Sequence, residues 1–183
     1  MIVPQSERLR LRPMTMSDAS DLLKIFSDPE AMRYYPGTKN RHQTEDWIEW
    51  NLESYARYGF GLWVAEFKQT GEFAGQCGLV AQDIEGVTEV EIGYLFLRKL
   101  WGRGLATEAA RACRDHASGK LGLNRLISLI HPGNIPSRRV AEKVGMTLER
   151  EVEKWGVTLC LYSMESSRLK VSHERAGANI HLH

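Results

Sequence analysis

The stretch that most constrains this chain is "LRKLWGRGLATEAARA", Leu97 to Ala112. The preceding "TEVEIGYLFL" alternates like a strand, and the small and charged residues after Gly104 have strong helix propensity. A strand that runs through Gly-Arg-Gly straight into a helix leaves several backbone N–H groups without partners at the helix start. The helix dipole adds partial positive charge there. Gly102 and Gly104 remove side chains that would hold a ligand off the main chain. Such a turn suits a phosphate or diphosphate. Arg103 within it, and Arg98 and Lys99 just before it, can each add a charge-assisted contact worth roughly 1.5–3 kcal/mol.

Three readings of the turn compete. A dinucleotide-binding turn needs a third glycine where Thr107 stands, and an early place in a repeated βαβ pattern. A P-loop needs Gly-Lys-Ser/Thr at its end, which is absent. A tight turn without a ligand remains open on these residues alone.

The remaining sequence reads as one mixed α/β domain. "SERLRLRPM" alternates as a strand, and "MSDASDLLKIFSDPEAM" is a helix capped at Ser17 or Asp18 and ending near Asp28-Pro29. "QTEDWIEWNLESYARYG" is a second helix, with Trp47, Trp50 and Leu52 facing a core and Gly59 as its stop. "FGLWVAEF" and "EFAGQCGLVA" form a hairpin, and "TEVEIGYLFL" adds a strand. A helix follows from about Gly104 to Ser118, then the strand "NRLISLIH", the helix "NIPSRRVAEKVG" and two final strands. The expected domain spans residues 1–169, with a loose tail over 170–183.

The 24 basic and 23 acidic residues among 183 give no nucleic-acid-binding face. No apolar run is long enough to span a membrane. Cys77, Cys113 and Cys160 are odd in number and lack metal-like spacing, so a reducing, cytoplasmic setting is expected and no metal.

"WGRGLATEAARA" resembles the acetyl-CoA diphosphate loop of the GNAT superfamily of N-acetyltransferases. The usual core there is Gln/Arg-x-x-Gly-x-Gly/Ala. Trp101 holds its first place, and Gly104 and Ala106 hold the two small-residue places. The aromatic-Gly-x-Gly-x-Ala-Thr-Glu-Ala version is similar to the branch of ribosomal-protein N-terminal acetyltransferases. "ERLRLRPM", "FSDPEAMRYY", "GFGLWVAEFKQTGEFAGQCGL", "EVEIGYLF" and "NIPSRRVAEKVGM" resemble further segments of that branch, in the same order over roughly residues 6–165. The resemblance implies a mixed, mostly antiparallel seven-stranded sheet, splayed between strands four and five, with about four helices. It implies acetyl-CoA as co-substrate and an amine as acceptor, either a protein N-terminus or a small molecule. Dimers are common in that superfamily, and the sequence leaves the oligomeric state open.

Residue by residue, the resemblance places the diphosphate on Gly102, Arg103, Gly104, Leu105, Ala106 and Thr107. It places the pantetheine arm along Tyr94, Leu95, Phe96 and Leu97, with Asn134 as a further contact. Many members carry a tyrosine seven residues after that Asn to protonate the leaving thiolate. Ala141 stands there, so Ser137 is the substitute candidate. Arg138 and Arg139 are weighed as contacts to the adenosine phosphate against plain solvated charges.

The amine must be neutral to attack. At pH 7 this costs a lysine-type amine about 4.6 kcal/mol and an α-amine about 1.4 kcal/mol. Glu89 and Glu91 share a strand face by period two, and a carboxylate there can accept the proton. Glu91 is the first choice of base and Glu89 the second. No Ser or Cys stands beside an evident base, so direct attack without an acyl-enzyme is expected. The alternative is a non-catalytic module that senses acyl-CoA, which the missing tyrosine keeps open.

The cysteines read as small buried hydrophobes and His131 as a loop residue. His173, His181 and His183 fall in the tail. "SYARYGFGLW" is read as a possible wall of the acceptor site.

Overall fold

The computed structural model describes residues 2–165. The expected tail, with its three histidines, lies outside the described residues.

In chain order the elements are β1 (Leu9–Arg12), α1 (Ala19–Phe26), α2 (Arg41–Tyr58), β2 (Leu62–Phe67), β3 (Phe73–Ile84) and β4 (Val87–Phe96). Then come α3 (Leu105–Gly119), β5 (Arg125–Ile130), α4 (Ile135–Val144), β6 (Thr147–Lys154) and β7 (Val157–Glu165). All seven strands join one sheet in the order β1-β2-β3-β4-β5-β7-β6. Every neighbouring pair is antiparallel except β4 and β5. These two run parallel and meet in register only at Glu91 and Ile127. Beyond that point they diverge, and this places the site. The expected sheet and its splay are both present.

Local chemistry explains the hairpins. The β3–β4 turn is Glu85-Gly86 (φ 53° and 84°), and the β6–β7 turn is Trp155-Gly156 (φ 53° and 76°). Positive φ at both central residues is the two-residue geometry that matches strand twist. Period-two alternation then divides the sheet faces. Trp63 and Ala65 pack with α3 residues such as Ala109 and Cys113, while Leu62 and Val64 pack with Leu22, Phe26 and Ile48 of α1 and α2. A smaller cluster of Ile84, Ile127, Val152 and Leu161 sits beyond the splay.

Two helices differ from expectation. The first is a 3-10 turn, Met16–Asp18, running into the shorter α1. Its cap is Thr15, because the Asp18 carboxylate turns back to accept the Thr15 N–H at 2.7 Å and is held there by Arg12. On α2 the buried residues are Thr44, Ile48, Asn51 and Ser54, not Trp50 or Leu52. Asn51 accepts the Leu62 N–H at 2.8 Å, and Ser54 donates to the Phe60 carbonyl at 2.8 Å, so polar groups stitch this helix to β2. The tryptophan edge is thereby turned toward an open cavity.

Candidate active site

The turn between β4 and α3 has the backbone that its glycines suggest. Gly102 and Gly104 both sit in the left-handed region, at φ 75° and 77°, and Gly104 caps α3. An L side chain is strained at either position. Among the described residues no acceptor partners the amides from Gly102 to Thr107; the ladder starts with Glu108 N–H donating to the Gly104 carbonyl. Six consecutive main-chain donors at a helix start suit a diphosphate, the group that the resemblance puts here.

Side chains brace this turn. The Trp101 indole N–H donates to the Phe96 carbonyl at 2.9 Å, closing the turn against the end of β4. Glu108 accepts from Ser6 and from the Arg8 main-chain and side-chain N–H groups, and Arg8 also donates to the Arg103 carbonyl at 3.1 Å. These donors hold the Glu108 carboxyl below its usual range. Sequence reasoning missed the brace because Arg8 and Glu108 lie a hundred residues apart. Arg98 pairs with Asp28 at 2.8 Å, while Lys99 and Arg103 line the groove outside the turn. Arg138 donates to Tyr162 Oη and to the Pro132 carbonyl, a role inside the fold.

Along β4 only alternate amides face the gap. The Leu97 N–H is bonded to the Ala74 carbonyl of β3 at 3.0 Å. By antiparallel alternation Leu95 points the same way, and Tyr94 and Phe96 point toward the splay. Of the four backbone positions expected to line the pantetheine path, two therefore present donors to it.

The fork of the splay is closed by side chains. Ser128 Oγ donates to the Ile92 carbonyl at 2.9 Å. The Leu129 N–H, deprived of a β4 carbonyl by the divergence, donates to Glu91 Oε1 at 3.2 Å. Gln82 donates to Glu91 Oε2 at 2.7 Å. Glu91 has hydrogen bonds but, among the described residues, no paired cation, and burial pushes its carboxyl up to about 7. Glu89, on the same strand face, is instead paired with Arg125 at 2.9 Å in a cluster that includes Glu149.

Two cavities meet at Glu91. One, of about 240 Å³, lies in the gap and is lined by Glu91, Tyr94, Ser128, His131, Asn134 and Ser137 among others. Asn134 accepts the Ser137 N–H at 3.2 Å and so caps α4. Burial raises the Tyr94 phenol, which donates to the Ser137 carbonyl at 2.8 Å. Ala141 is fully buried in the core, so a phenol reaches the gap from β4 rather than from α4. His131, set aside from the sequence, also lines this cavity, its ring tilted against Tyr34 with centroids 5.1 Å apart.

The other cavity, of about 500 Å³, opens on the α1–α2 side and includes Trp47, Trp50, Tyr35 and Trp155 in its walls. Of the segment "SYARYGFGLW" only Leu62 reaches it. Tyr55 instead bonds the Leu62 carbonyl and the Met14 N–H, and Trp63 is core.

Residues 8–147 match the family model described as "Acetyltransferase (GNAT) domain". The chain belongs to the GNAT family of acetyltransferases. It is 46% identical over 162 residues to "Uncharacterized protein YkkB" of Bacillus subtilis (strain 168), covering 88% of this chain and 94% of that protein. It is 35% identical over 158 residues to "Uncharacterized N-acetyltransferase p20" of Bacillus licheniformis, covering 81% and 86%. The crystal structure of the acetyltransferase from Agrobacterium tumefaciens str. C58 shares its fold with a TM-score of 0.79 and 29% identity, over 91% of this chain and 95% of that one. The fold also matches RimL, a ribosomal L7/L12 α-N-protein acetyltransferase in complex with coenzyme A (TM-score 0.74, 21% identity, 90% and 98% covered). The family makes this GNAT chain an N-acetyltransferase that uses acetyl-CoA. Among the described residues no helix is long and apolar enough to cross a membrane, and no cluster of three or more His, Cys, Asp or Glu is placed to hold a metal.

Proposed function

We propose that this GNAT chain carries the acetyl group to a primary amine by direct attack on the thioester, with Glu91 as general base. The observation that carries the reading is the Glu91 carboxyl at the fork of β4 and β5, unpaired with any cation among the described residues and pushed up to about 7 by burial. A base of that strength near neutral pH takes a proton from an ammonium far better than an ordinary carboxylate does. Glu89 is the weaker candidate, because Arg125 already neutralises it.

The remaining residues divide the work. The amides from Gly102 to Thr107, with Arg103 nearby, hold the diphosphate of acetyl-CoA. The co-substrate supplies an acetyl group activated as a thioester. The gap-facing amides of Tyr94 and Phe96 hold the pantetheine arm and polarise the acetyl carbonyl, an effect that can be worth about 3 kcal/mol. Asn134 keeps the start of α4 against the gap, and the Ser137 hydroxyl and Tyr94 phenol are the groups near which the leaving thiolate takes up its proton. The three cysteines are free and buried, in keeping with a reducing cytoplasm.

The test pairs calorimetry of acetyl-CoA binding with a free-thiol assay across primary amines and N-terminal peptides. Binding together with amine-dependent thiol release is expected. Binding without release from any amine would leave a sensor of acyl-CoA, and no binding would defeat both.

A further inference from the structure

The cavity on the α1–α2 side of Glu91 has a composition that selects among amines. At about 500 Å³ it falls in the range that takes small organic ligands. Trp47 and Trp50 lie side by side with ring centroids 5.2 Å apart, and Phe26 meets Trp47 edge-on at 5.7 Å. Trp155 projects from the β6–β7 turn, 61% exposed, and borders both cavities. Trp50 is 40% exposed. Two indoles that remain this open to water within one concave surface present flat apolar faces that a planar ligand can cover.

The three glutamines of the cavity each have one end engaged. Gln76 accepts the Trp47 indole N–H at 3.1 Å, Gln82 donates to Glu91, and Gln43 accepts the Asn40 N–H at 2.9 Å. The rest of the wall is mostly apolar or aromatic, so a polyhydroxylated acceptor would give up more water than an aromatic one. The charges are equally sparse. Among the described residues Glu91 is the sole carboxylate lining the cavity, and the sole cation is Lys39, whose ammonium stands 5.5 Å over the Trp47 ring. One ammonium can be matched at Glu91, while a second would meet Lys39.

From this juxtaposition we infer that the acceptor is a small monoamine, its primary amine joined by a short chain to an aromatic ring. The ring lies among Trp47, Trp50 and Trp155, and the amine reaches Glu91. This names the acceptor class for the transferase reading above and rests on it.

The experiment measures free-thiol release by the full chain with acetyl-CoA and, in parallel, tryptamine, 2-phenylethylamine, spermidine, kanamycin and a peptide beginning with Ser. Tryptamine and 2-phenylethylamine are expected to exceed the other three by at least about tenfold in kcat/KM. Trp155→Ala, at an exposed turn, is expected to raise the KM for tryptamine about tenfold. Trp50→Ala, whose side chain borders the acceptor cavity and not the gap, is expected to do the same while the KM for acetyl-CoA stays put. The inference is overturned if spermidine, kanamycin or the peptide is preferred, or if neither variant changes the KM for tryptamine. Acetyl-CoA binding by calorimetry separates the two levels. Heat with the wrong amine preferred, or with no turnover at all, rejects this acceptor class. Absence of heat rejects the transferase reading beneath it.

Discussion

The turn after β4 and the surroundings of Glu91, proposed here as the coenzyme and acceptor ends of the cleft, are made of different material. At the turn after β4 the working groups are main-chain amides, set by two left-handed glycines and one helix start within a few residues. Around Glu91 they are side chains drawn from α1, the loop after it, α2, β3, β4, β5 and the β6–β7 turn. A surface of amides can be altered only by changing backbone conformation or crowding it. A surface of side chains can be retuned one residue at a time without disturbing the fold. The first end suits a ligand that stays the same, and the second a ligand to which single substitutions can adapt the wall.

Substitutions can break that contrast in order of severity. Gly104→Glu puts a strained backbone and an anion where the diphosphate belongs, and acetyl-CoA affinity should fall by a factor on the order of 100 or more. Calorimetry checks this, and a thermal melt shows that the fold survives. Glu91→Gln should lower kcat/KM by a factor on the order of 100 with acetyl-CoA binding unchanged. In the parent chain kcat/KM should climb as pH rises through about 7, since Glu91 as the proposed base must lose its proton to act, and the variant should lack that limb.

Smaller effects sharpen the comparison at each end. Arg8→Ala removes the brace behind the turn but no contact to a ligand, so acetyl-CoA affinity should weaken only about threefold, read by the same titration. Glu89→Gln breaks the Arg125 pair and should cost about 1 kcal/mol in a urea melt, leaving the lower pH limb of activity in place. Loss of that limb in Glu89→Gln would exchange the roles of the two carboxylates.

The same contrast explains what the sequence made readable. The strand–turn–helix around Gly102 and Gly104 and the hairpin turns are local, so residue type and spacing suffice to place them. In the sequence Glu91 stands only narrowly ahead of Glu89, because the two are letters two apart on one face. What separates them is Arg125 beside one, and the Leu129 N–H and Gln82 beside the other, all fixed by strand pairing. Ser128 at the fork, the Arg8–Glu108 brace and Trp155 at the border of both cavities were missed for the same reason. Each matters through a contact distant in sequence. The orientation of α2 was misread because Asn51 and Ser54 bury polar atoms by bonding β2, which a hydrophobic pattern does not register.

Glu91 also bears on stability. Its folded-state pKa of about 7 lies above the ordinary 4.5, so the folded chain binds this proton more tightly than the unfolded chain. That stabilising contribution is complete below about pH 4.5 and is lost as pH rises through about 7. The loss amounts to at most about 3 kcal/mol. Glu91→Gln should therefore melt higher than the parent at pH 8, with little difference at pH 4.

The single register pair joining β4 to β5 gives the sheet an interior seam, with bare strand edges in the middle of the molecule rather than only at its rim. Edges of that kind invite pairing with any extended chain nearby. Under the proposed function the co-substrate lies in the seam and acts as a missing strand. Freshly made protein kept without it should be the form most prone to self-association, and a modest excess of coenzyme in the buffer should be the simplest way to keep it in solution.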